Sequence, residues 1–398
     1  MSVEVIKPRI RGFICTNAHP GGCHQNIQNQ VNYIKSNTAT QKTDLNVLVV
    51  GASTGYGLAS RIALTWAYGA KSLGIFYERP AAGRRTATAG YYNSVAFHQL
   101  AAQEGFSAES INGDAFSDDI KGETIDRIKG GMGKIDMVVY SIAAPRRIHP
   151  RTGAEHNSVL KPIGQSYTSQ TIDLNREVVT DITLEAASEQ EITDTVAVMG
   201  GEDLEFWTDA LLAEDLLAPG ATVVTYTYIG PELTWAIYRD GTIGKAKEDL
   251  EARVNKLDKT LADKLGGNVY LSVNKAIVSQ ASMAIPVVPL YMSILNQIMD
   301  AKGTNEAPIA QMGRLFTEHI GPDLSPTLDA ERRIRLDDRE LRADVTAEII
   351  ERWGQINTDN FREISDYDGL QHTFRNLFGF DVDGVNYDEP VETELNLP

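Results

Sequence analysis

The chain has 398 residues, of which 42% are hydrophobic and 23% charged, so it can bury a large core without covalent cross-links. Its 54 acidic and 37 basic residues give a net charge of −17, which argues against nucleic acid or anionic membrane surfaces as partners. The two cysteines, Cys15 and Cys23, exclude a disulfide framework and favour a reducing compartment, so we expect a cytoplasmic protein.

The N-terminal segment, residues 1–45, is expected to wrap around the main body of the protein. It begins without the apolar stretch of a signal peptide. Cys15, His19, Cys23 and His24 lie close together in sequence, but they lack the paired short spacings of a four-ligand zinc site. We therefore predict a packed loop and no metal.

Alternating strands and helices are predicted over the next hundred residues. Residues 46–50 form a β-branched run that leads into glycines, and a helical pattern follows over residues 58–70. Further apolar runs occupy residues 72–78 and 135–143, with a helical stretch from residue 120 before the latter. This alternation predicts an α/β fold with a parallel sheet of the Rossmann type, flanked by helices.

The second half continues the pattern and adds an apolar segment. Strands are predicted at 222–230 and 268–273, a charged amphipathic helix at 245–265, and helices packed outside the sheet from residue 325. Residues 276–299 carry no charge, but they contain Pro286, Pro289 and several polar side chains, so we predict a buried, kinked segment that lines an apolar cavity without membrane insertion. We expect one domain, with a cofactor and catalytic core at 46–320 and a helical region at 321–398.

A glycine-rich turn follows the first strand and indicates a dinucleotide site. Its spacing is G-x3-G-x-G, the short-chain-reductase variant, and such glycines let the backbone approach a pyrophosphate at a helix N-terminus. Glu78, at the end of the next strand, would bind the ribose hydroxyls and repel a 2′-phosphate, so NADH is favoured, although Arg79 beside it tempers that preference. The expected contacts in the turn are Gly51, Ala52, Ser53, Thr54, Gly55 and Tyr56.

Other binding residues follow from the topology alone. Asp114 and Ala115 stand where an acidic side chain can reach the adenine, and Ile142 and Ala143 end the strand beside the expected crevice. Both pairs could equally be ordinary loop residues. Because the chain is acidic, a local basic patch would be needed to attract an anionic substrate. Four residues could form such a patch, or they could belong to an ordinary solvated loop. These candidates are Arg146, Arg147, His149 and Arg151.

A tyrosine with neighbouring lysines is the catalytic candidate, although such a pair is common and, taken alone, favours an ordinary structural role. Tyr238 is followed by Lys245 and Lys247, and because residues two apart on a helix point about 200° apart, only one lysine can face the tyrosine. An adjacent ammonium lowers the pKa of a phenol and can bind a cofactor ribose. The Tyr-x3-Lys pair of ordinary short-chain dehydrogenases does not occur at the corresponding place.

Several long motifs, in order from end to end, make the chain resemble the FabV-type trans-2-enoyl-CoA and enoyl-carrier-protein reductases. These motifs are KPRIRGFICTNAHPGGC, GASTGYG, YSIAAPRR, TYIGPELTWAIYRDGTIGKAK, VSQASMAIPVVPLY and LFGFDVDGVNYD. The resemblance implies an enlarged short-chain-reductase fold that uses NADH to reduce the double bond of an enoyl thioester, the last reductive step of fatty-acid elongation. The carrier would be coenzyme A or acyl carrier protein.

The same resemblance implies roles for individual residues. Tyr238 becomes the proton donor and enolate stabiliser, and Lys247 the cofactor-binding lysine in preference to Lys245. Tyr228 matches a substrate-contacting tyrosine, and Tyr77 an aromatic wall beside the adenine. The nicotinamide end matches Ile277, Val278 and Ser279.

Two other readings of the chain stay open at this point. A ketoacyl reductase or hydroxyacyl dehydrogenase is opposed by the missing Tyr-x3-Lys pair, and a non-catalytic dinucleotide-binding regulator is opposed by the presence of both Tyr238 and Lys247. Tyr226 or Tyr228 could share the donor role. No further phosphate-binding glycine turn follows Gly313, so the sequence gives no reason to propose flavin, and a monomer is expected.

Overall fold

The computed structural model describes residues 3–39 and 41–398 and contains a seven-stranded sheet in which every neighbouring pair is parallel. The order across the sheet is β7-β6-β5-β4-β1-β2-β3, so the direction of winding reverses between β1 and β4. The predicted α/β class is confirmed. The strands are β1 (Asn46–Val50), β2 (Lys71–Phe76), β3 (Ala108–Asn112), β4 (Ile135–Tyr140), β5 (Leu217–Thr227), β6 (Asn268–Val273) and β7 (Arg333–Arg335).

Helices cover both faces of the sheet, which explains the nearly uninterrupted apolar strands. Val47 and Val49 pack into the core on one face, and Leu48 and Val50 into the core on the other. The α-helices are α1 (Pro20–Asn37), α2 (Gly55–Tyr68), α3 (Ala89–Gln103), α4 (Asp118–Arg127), α5 (Glu189–Met199), α6 (Glu202–Ala213), α7 (Thr242–Leu265), α8 (Gln280–Ala284), α9 (Val288–Ala301), α10 (Pro308–Arg314), α11 (Ala343–Gln355), α12 (Phe361–Ile364) and α13 (Tyr367–Asn376).

Short elements outside the main sheet were missed by the sequence patterns, which also gave no helix for α5 and α6. Two-stranded antiparallel pairs join Val3–Glu4 to Val391–Glu392, Ile10–Arg11 to Ile14–Cys15, Arg146–Ile148 to Glu155–Asn157, and Tyr167–Asp173 to Val178–Leu184. A 3-10 turn occupies Glu232–Thr234, and π-helical turns occupy Ile128–Met132 and Leu315–His319.

The prediction that residues from 325 onward form only helices is wrong at β7. Ile334 is fully buried between two arginines, and both arginines pair with Asp329, so the alternation has the two-residue period of a strand. The predicted strands at 135–143 and 222–230 end too late, because the backbone leaves the sheet after Tyr140 and Thr227, and the second strand also begins earlier than predicted, at Leu217. Those departing segments form the walls of the cavity described below.

The uncharged segment at 276–299 is mostly buried, as predicted, although Gln280, Ala281 and Ala284 are exposed. It forms α8 and most of α9, and Val287 between them has a φ of +74°, which turns the chain sharply. Leu290, Ile294 and Ile298 on α9 are fully buried in the protein core. Among residues 3–39 and 41–398, no helix has both the length and the apolar character needed to cross a membrane.

The two ends of the chain pack against each other. The first turn of α1 lies against the loop after α13, where a Cβ on Gly22 would come 1.7 Å from the carbonyl oxygen of Gly379. Only glycine permits this approach, because no side-chain movement can relieve a clash with backbone. The same approach fixes the N-terminal segment to the C-terminal region.

A Gly22→Ala substitution should therefore destabilise the protein by about 2–3 kcal/mol, measured by denaturant unfolding. Gly21→Ala is the matched control, since Gly21 is exposed and its Cβ would lie 3.3 Å from the nearest atom of the His19 ring. We expect that control to change stability by less than about 0.5 kcal/mol. Equal stabilities for the two variants would contradict the packing described.

Candidate active site

The glycine turn lies at the carboxyl end of β1, beside the end of β4. Gly51 has a φ of +93°, and a Cβ there would stand 2.0 Å from the carbonyl oxygen of Ser141. This position needs glycine both for its backbone conformation and for its contact with the neighbouring strand. The turn therefore lies at the point where the winding of the sheet reverses, the usual crevice for a dinucleotide.

The start of α2 offers an open anion site. Thr54 is the N-cap residue but makes no side-chain cap, and both Thr54 and Gly55 are exposed, so the N–H groups of the first turn remain available. A Cβ on Gly55 would meet no atom within 4 Å, whereas Ala52 and Ser53 are buried. The N-terminus of α2 therefore fits a pyrophosphate.

Glu78 lies beside this turn, just after β2. Its Oε1 accepts a hydrogen bond of 2.7 Å from Ser53 Oγ, and its backbone N–H donates to Asn112 Oδ1 at 2.8 Å. The carboxylate is thus held against the glycine turn, as binding of the adenosine ribose requires. The neighbouring Tyr77 is 78% exposed and makes no aromatic contact within the described chain.

The turn that contains Asp114 and Ala115 is held by hydrogen bonds from side chains that the sequence analysis did not identify as neighbours of this turn. Lys121 Nζ donates to the Ala115 carbonyl at 3.0 Å and pairs with Asp203 at 2.8 Å. Trp207 Nε1 donates to the same carbonyl at 3.1 Å. Lys121 and Asp203 are 82 residues apart, so no local motif could have connected them.

A cavity of about 320 Å³ opens at the carboxyl ends of β1, β4, β5 and β6. It contains most of the residues predicted for the nicotinamide end and for catalysis, although Val278 is buried just outside its wall. The predicted residues that line it are Tyr56, Ile142, Ala143, Tyr228, Tyr238, Lys247, Ile277 and Ser279. Its apolar wall also includes Leu160, Met199, Ile285, Val288 and Met292.

Lys247 faces Tyr238 inside the cavity, and Lys245 does not. The Lys247 Nζ lies 5.0 Å from the centre of the Tyr238 ring and donates to the backbone carbonyl of Tyr228. Lys245 is exposed and pairs with Glu248 at 2.8 Å. The tertiary structure thus resolves which lysine of α7 accompanies the tyrosine.

Burial shifts the ionisation of both groups towards their neutral forms. It raises the pKa of Tyr238, an effect to which the negative charge of Glu340 adds. It also lowers the pKa of Lys247 to about 7. At neutral pH, Tyr238 therefore keeps its proton, and the charge of Lys247 responds to small changes in its surroundings.

Of the three tyrosines Tyr226, Tyr228 and Tyr238 in the cavity wall, only one has an uncommitted hydroxyl in the described structure. The Tyr226 hydroxyl forms a 2.6 Å hydrogen bond with Ser60 Oγ, and the Tyr228 hydroxyl donates to Glu340 Oε1 at 2.9 Å. Tyr238 packs edge-on against Tyr228, with ring centres 5.0 Å apart. Its hydroxyl is the one left to bind a substrate oxygen.

The basic residues at 146–151 do not form the exposed patch that was considered from the sequence. Arg147 is buried, and its guanidinium donates to Glu202 at 2.9 Å. His149 lies 3.2 Å from the same glutamate, and Arg146 lies 3.4 Å from Glu155. Arg151 is exposed and lies 3.8 Å from the centre of the Phe206 ring, so only Arg146 and Arg151 of the four candidates are exposed on this hairpin.

The cysteines and histidines of the N-terminal segment serve the local structure. Cys15 Sγ donates to the Asn17 carbonyl at 3.2 Å, and His19 Nδ1 accepts from the Gly22 N–H as the N-cap of α1. Within residues 3–39 and 41–398, no group of three His, Cys, Asp or Glu side chains could hold a metal ion.

Three family models match consecutive parts of the chain. They describe the NAD(P)H-binding domain of trans-2-enoyl-CoA reductase (residues 5–83), the trans-2-enoyl-CoA reductase catalytic region (85–320) and an enoyl reductase FAD-binding domain (328–391). An NADH-dependent enoyl-acyl-carrier-protein reductase of Saccharophagus degradans is 50% identical over 99% of both chains. A trans-2-enoyl-CoA reductase of Ruminiclostridium cellulolyticum is 49% identical, again over 99% of both.

Solved structures show the same similarity over nearly the whole fold. The trans-2-enoyl-CoA reductase of Clostridium acetobutulicum in complex with NADH has a TM-score of 0.94 at 41% identity and covers 98% of both chains. The enzyme of Treponema denticola in complex with NAD has a TM-score of 0.94 at 42% identity, over 99% of this chain and 100% of that one.

Residues 328–391, which match the FAD-binding family model, pack against the core of the protein. Neither the active-site cavity nor a second cavity of about 260 Å³ at the opposite edge of the sheet is lined by any of them. The helices of this region pack on α9, and a Cβ on Gly379 would lie 2.5 Å from the backbone nitrogen of Cys23, so this glycine is used for packing. In the described chain, the region instead closes one side of the core.

The lowered pKa of Lys247 predicts a pH-dependent cost to folding. Below about pH 7 the ammonium is charged in both the folded and unfolded states and its burial is unfavourable, whereas above the unfolded value of 10.5 it is neutral in both. Near pH 6 the free energy of unfolding of a Lys247→Met variant should therefore exceed that of the parent by about 3 kcal/mol, so the variant unfolds at a higher temperature, and the gain should shrink as the pH rises towards 10. Thermal unfolding without added cofactor measures this.

Lys245→Met is the matched control for that experiment. Because Lys245 is exposed, its replacement should leave the pH dependence of the unfolding temperature unchanged. If Lys247→Met raises the free energy of unfolding by the same amount at every pH, the gain does not come from the removal of a buried charge.

Proposed function

The chain belongs to the trans-2-enoyl-CoA reductase family of NADH-dependent oxidoreductases, and from this premise we propose that it reduces the trans-2 double bond of enoyl thioesters with Tyr238 as proton donor. The observation that carries the proposal is the free Tyr238 hydroxyl in an apolar cavity, next to Lys247. A relative named for the acyl-carrier-protein substrate and one named for the coenzyme A substrate are similarly close, so we propose that both carriers are accepted.

The residues around the crevice suit NADH. When bound, it supplies a hydride for the β-carbon of the substrate. The N–H groups at the start of α2 would bind the pyrophosphate, Glu78 the adenosine ribose, and Asp114 and Ala115 the adenine. Lys247 would bind the ribose near the nicotinamide, whose other neighbours would be Ile142, Ala143, Ile277, Val278 and Ser279.

Tyr238 suits the second half of the reaction. Addition of hydride to the β-carbon leaves negative charge on the thioester oxygen, and a neutral phenol can donate a hydrogen bond to that oxygen and then supply a proton. The raised pKa of Tyr238 keeps the phenol neutral until such charge develops beside it. Lys247 lies in the same largely apolar cavity. Its N–H groups, or its positive charge when it is protonated, favour the anionic intermediate.

The apolar wall suits an acyl chain. Leu160, Met199, Ile285 and Met292 line the cavity, whose only charged lining residues in the described structure are Lys247 and Lys275. We therefore propose the last reductive step of fatty-acid elongation as the reaction in the cell. We further propose that the chain forms one enlarged Rossmann-type domain, acts as a monomer and works in the cytoplasm.

The purified protein should oxidise NADH in the presence of crotonyl-CoA and dodecenoyl-CoA, and little or none with acetoacetyl-CoA, as followed by NADH absorbance. Tyr238→Phe should lower kcat at least about 100-fold, because the enolate oxygen loses its donor. Tyr68→Phe is the control, since that hydroxyl binds the Phe316 carbonyl away from the cavity. Oxidation with acetoacetyl-CoA alone would replace this proposal with carbonyl reduction.

The cofactor preference should depend on Glu78. Replacing its charge in Glu78→Gln removes the repulsion of a 2′-phosphate, so the ratio of kcat/KM for NADPH to that for NADH should rise about tenfold or more. Glu109→Gln serves as a control on the neighbouring strand, where the glutamate pairs with Arg127 at 3.0 Å. An unchanged ratio in Glu78→Gln would remove Glu78 from the ribose site.

A further inference from the structure

A carboxylate from the C-terminal region is buried behind the active site. Glu340 lies in the turn between β7 and α11 and is 0% exposed. Its Oε1 accepts hydrogen bonds from the Tyr228 hydroxyl at 2.9 Å and the Tyr291 hydroxyl at 2.6 Å. Its Oε2 accepts from the Ala276 N–H at 2.8 Å. One side chain thus joins the end of β5, the segment after β6 and helix α9.

Glu340 is the acceptor in all three hydrogen bonds. A tyrosine hydroxyl has one hydrogen to donate. Because Tyr228 donates its hydrogen to Glu340, that hydrogen is not available to a substrate oxygen, and the ring is held edge-on to Tyr238. A buried carboxylate with three donors is also costly to disturb, since each lost partner leaves a buried polar group unsatisfied.

The positive charge of Lys275 acts on Glu340, but the two side chains do not form an ion pair in the described structure. The Lys275 side chain is 5% exposed, and its Nζ donates to the Ala276 carbonyl at 3.0 Å. The carbonyl of Lys275 accepts from the Tyr56 hydroxyl at 2.7 Å, so the same segment is tied to the glycine turn. The backbone of residues 275 and 276 is therefore held from both sides, at the point where it enters the cavity wall.

We propose that Glu340 is a positioning residue for the reductase reaction: by accepting hydrogen bonds from Tyr228 and the Ala276 N–H, it fixes the tyrosine beside Tyr238 and the backbone at the nicotinamide end. It does not line the cavity and so acts through these two groups. This inference rests on the proposed function. It gives the C-terminal region a part in catalysis that needs no second cofactor.

Two substitutions test the proposal in the full-length enzyme. In Glu340→Gln, an amide can accept on one atom only, so its NH₂ group must face either the tyrosines or the Ala276 N–H. We expect kcat with crotonyl-CoA to fall about tenfold or more. In Tyr291→Phe, one donor to Glu340 is lost from a tyrosine outside the cavity wall, and kcat should fall about threefold to tenfold while the KM for NADH stays within about twofold.

A double-mutant cycle separates positioning from general loss of structure. If Glu340 acts through Tyr228, the Glu340→Gln/Tyr228→Phe enzyme should be no slower, within about twofold, than the slower single variant. Tyr68→Phe is the matched control for a lost buried hydroxyl, and its kcat should stay within about twofold of the parent. If Glu340→Gln does not fold, Tyr291→Phe decides the matter alone.

The outcomes are distinct. Single effects that multiply in the double variant, or parental kcat in either Glu340→Gln or Tyr291→Phe, would overturn the positioning role while leaving the proposed reaction intact. A parent enzyme that fails to reduce any enoyl thioester would instead contradict the proposed function. A fall in kcat for Tyr291→Phe at an unfolding temperature equal to that of Tyr68→Phe would support the role of Glu340.

Discussion

The convergence of parallel strand ends at one edge of the sheet is the constraint on which the site depends. In a parallel sheet the carboxyl ends of all strands meet at the same edge, so the segments after β1, β4, β5 and β6 are brought together although they are far apart in sequence. Gly51 allows the turn after β1 to touch the segment after β4. The glycine turn and the cavity therefore lie at the same edge of the sheet.

Burial then sets the chemistry of that edge. The cavity walls are largely apolar, and a charge in such surroundings is strongly disfavoured. The pKa of Tyr238 therefore rises and that of Lys247 falls. The cavity thus contains a neutral phenol and an amine that loses its proton more readily than an exposed lysine. Burial raises the pKa of Glu340, and its three hydrogen-bond donors and the charge of Lys275 oppose that rise.

The C-terminal region has a structural role that its similarity to a flavin-binding family does not suggest. Its glycine at 379 makes room for α1, and its helices cover α9. Glu340, which accepts hydrogen bonds from Tyr228 and Ala276 of the cavity wall, lies in the turn after the edge strand β7. The edge strand is short, yet it fixes where this turn begins.

The sequence by itself determined the parallel α/β fold, the glycine turn, Glu78 and the pair of Tyr238 with a lysine, because each has a local signal in spacing or periodicity. Spacing alone could not choose between Lys245 and Lys247, although the resemblance favoured Lys247, since both stand on the same helix and the packing of α7 decides which one faces inward. It could not show that Arg147 is buried, nor find Glu340, which lies 112 residues from Tyr228 and 64 from Ala276. Such contacts leave no periodic trace in the chain, because they are made by turns that only the assembled sheet brings within reach.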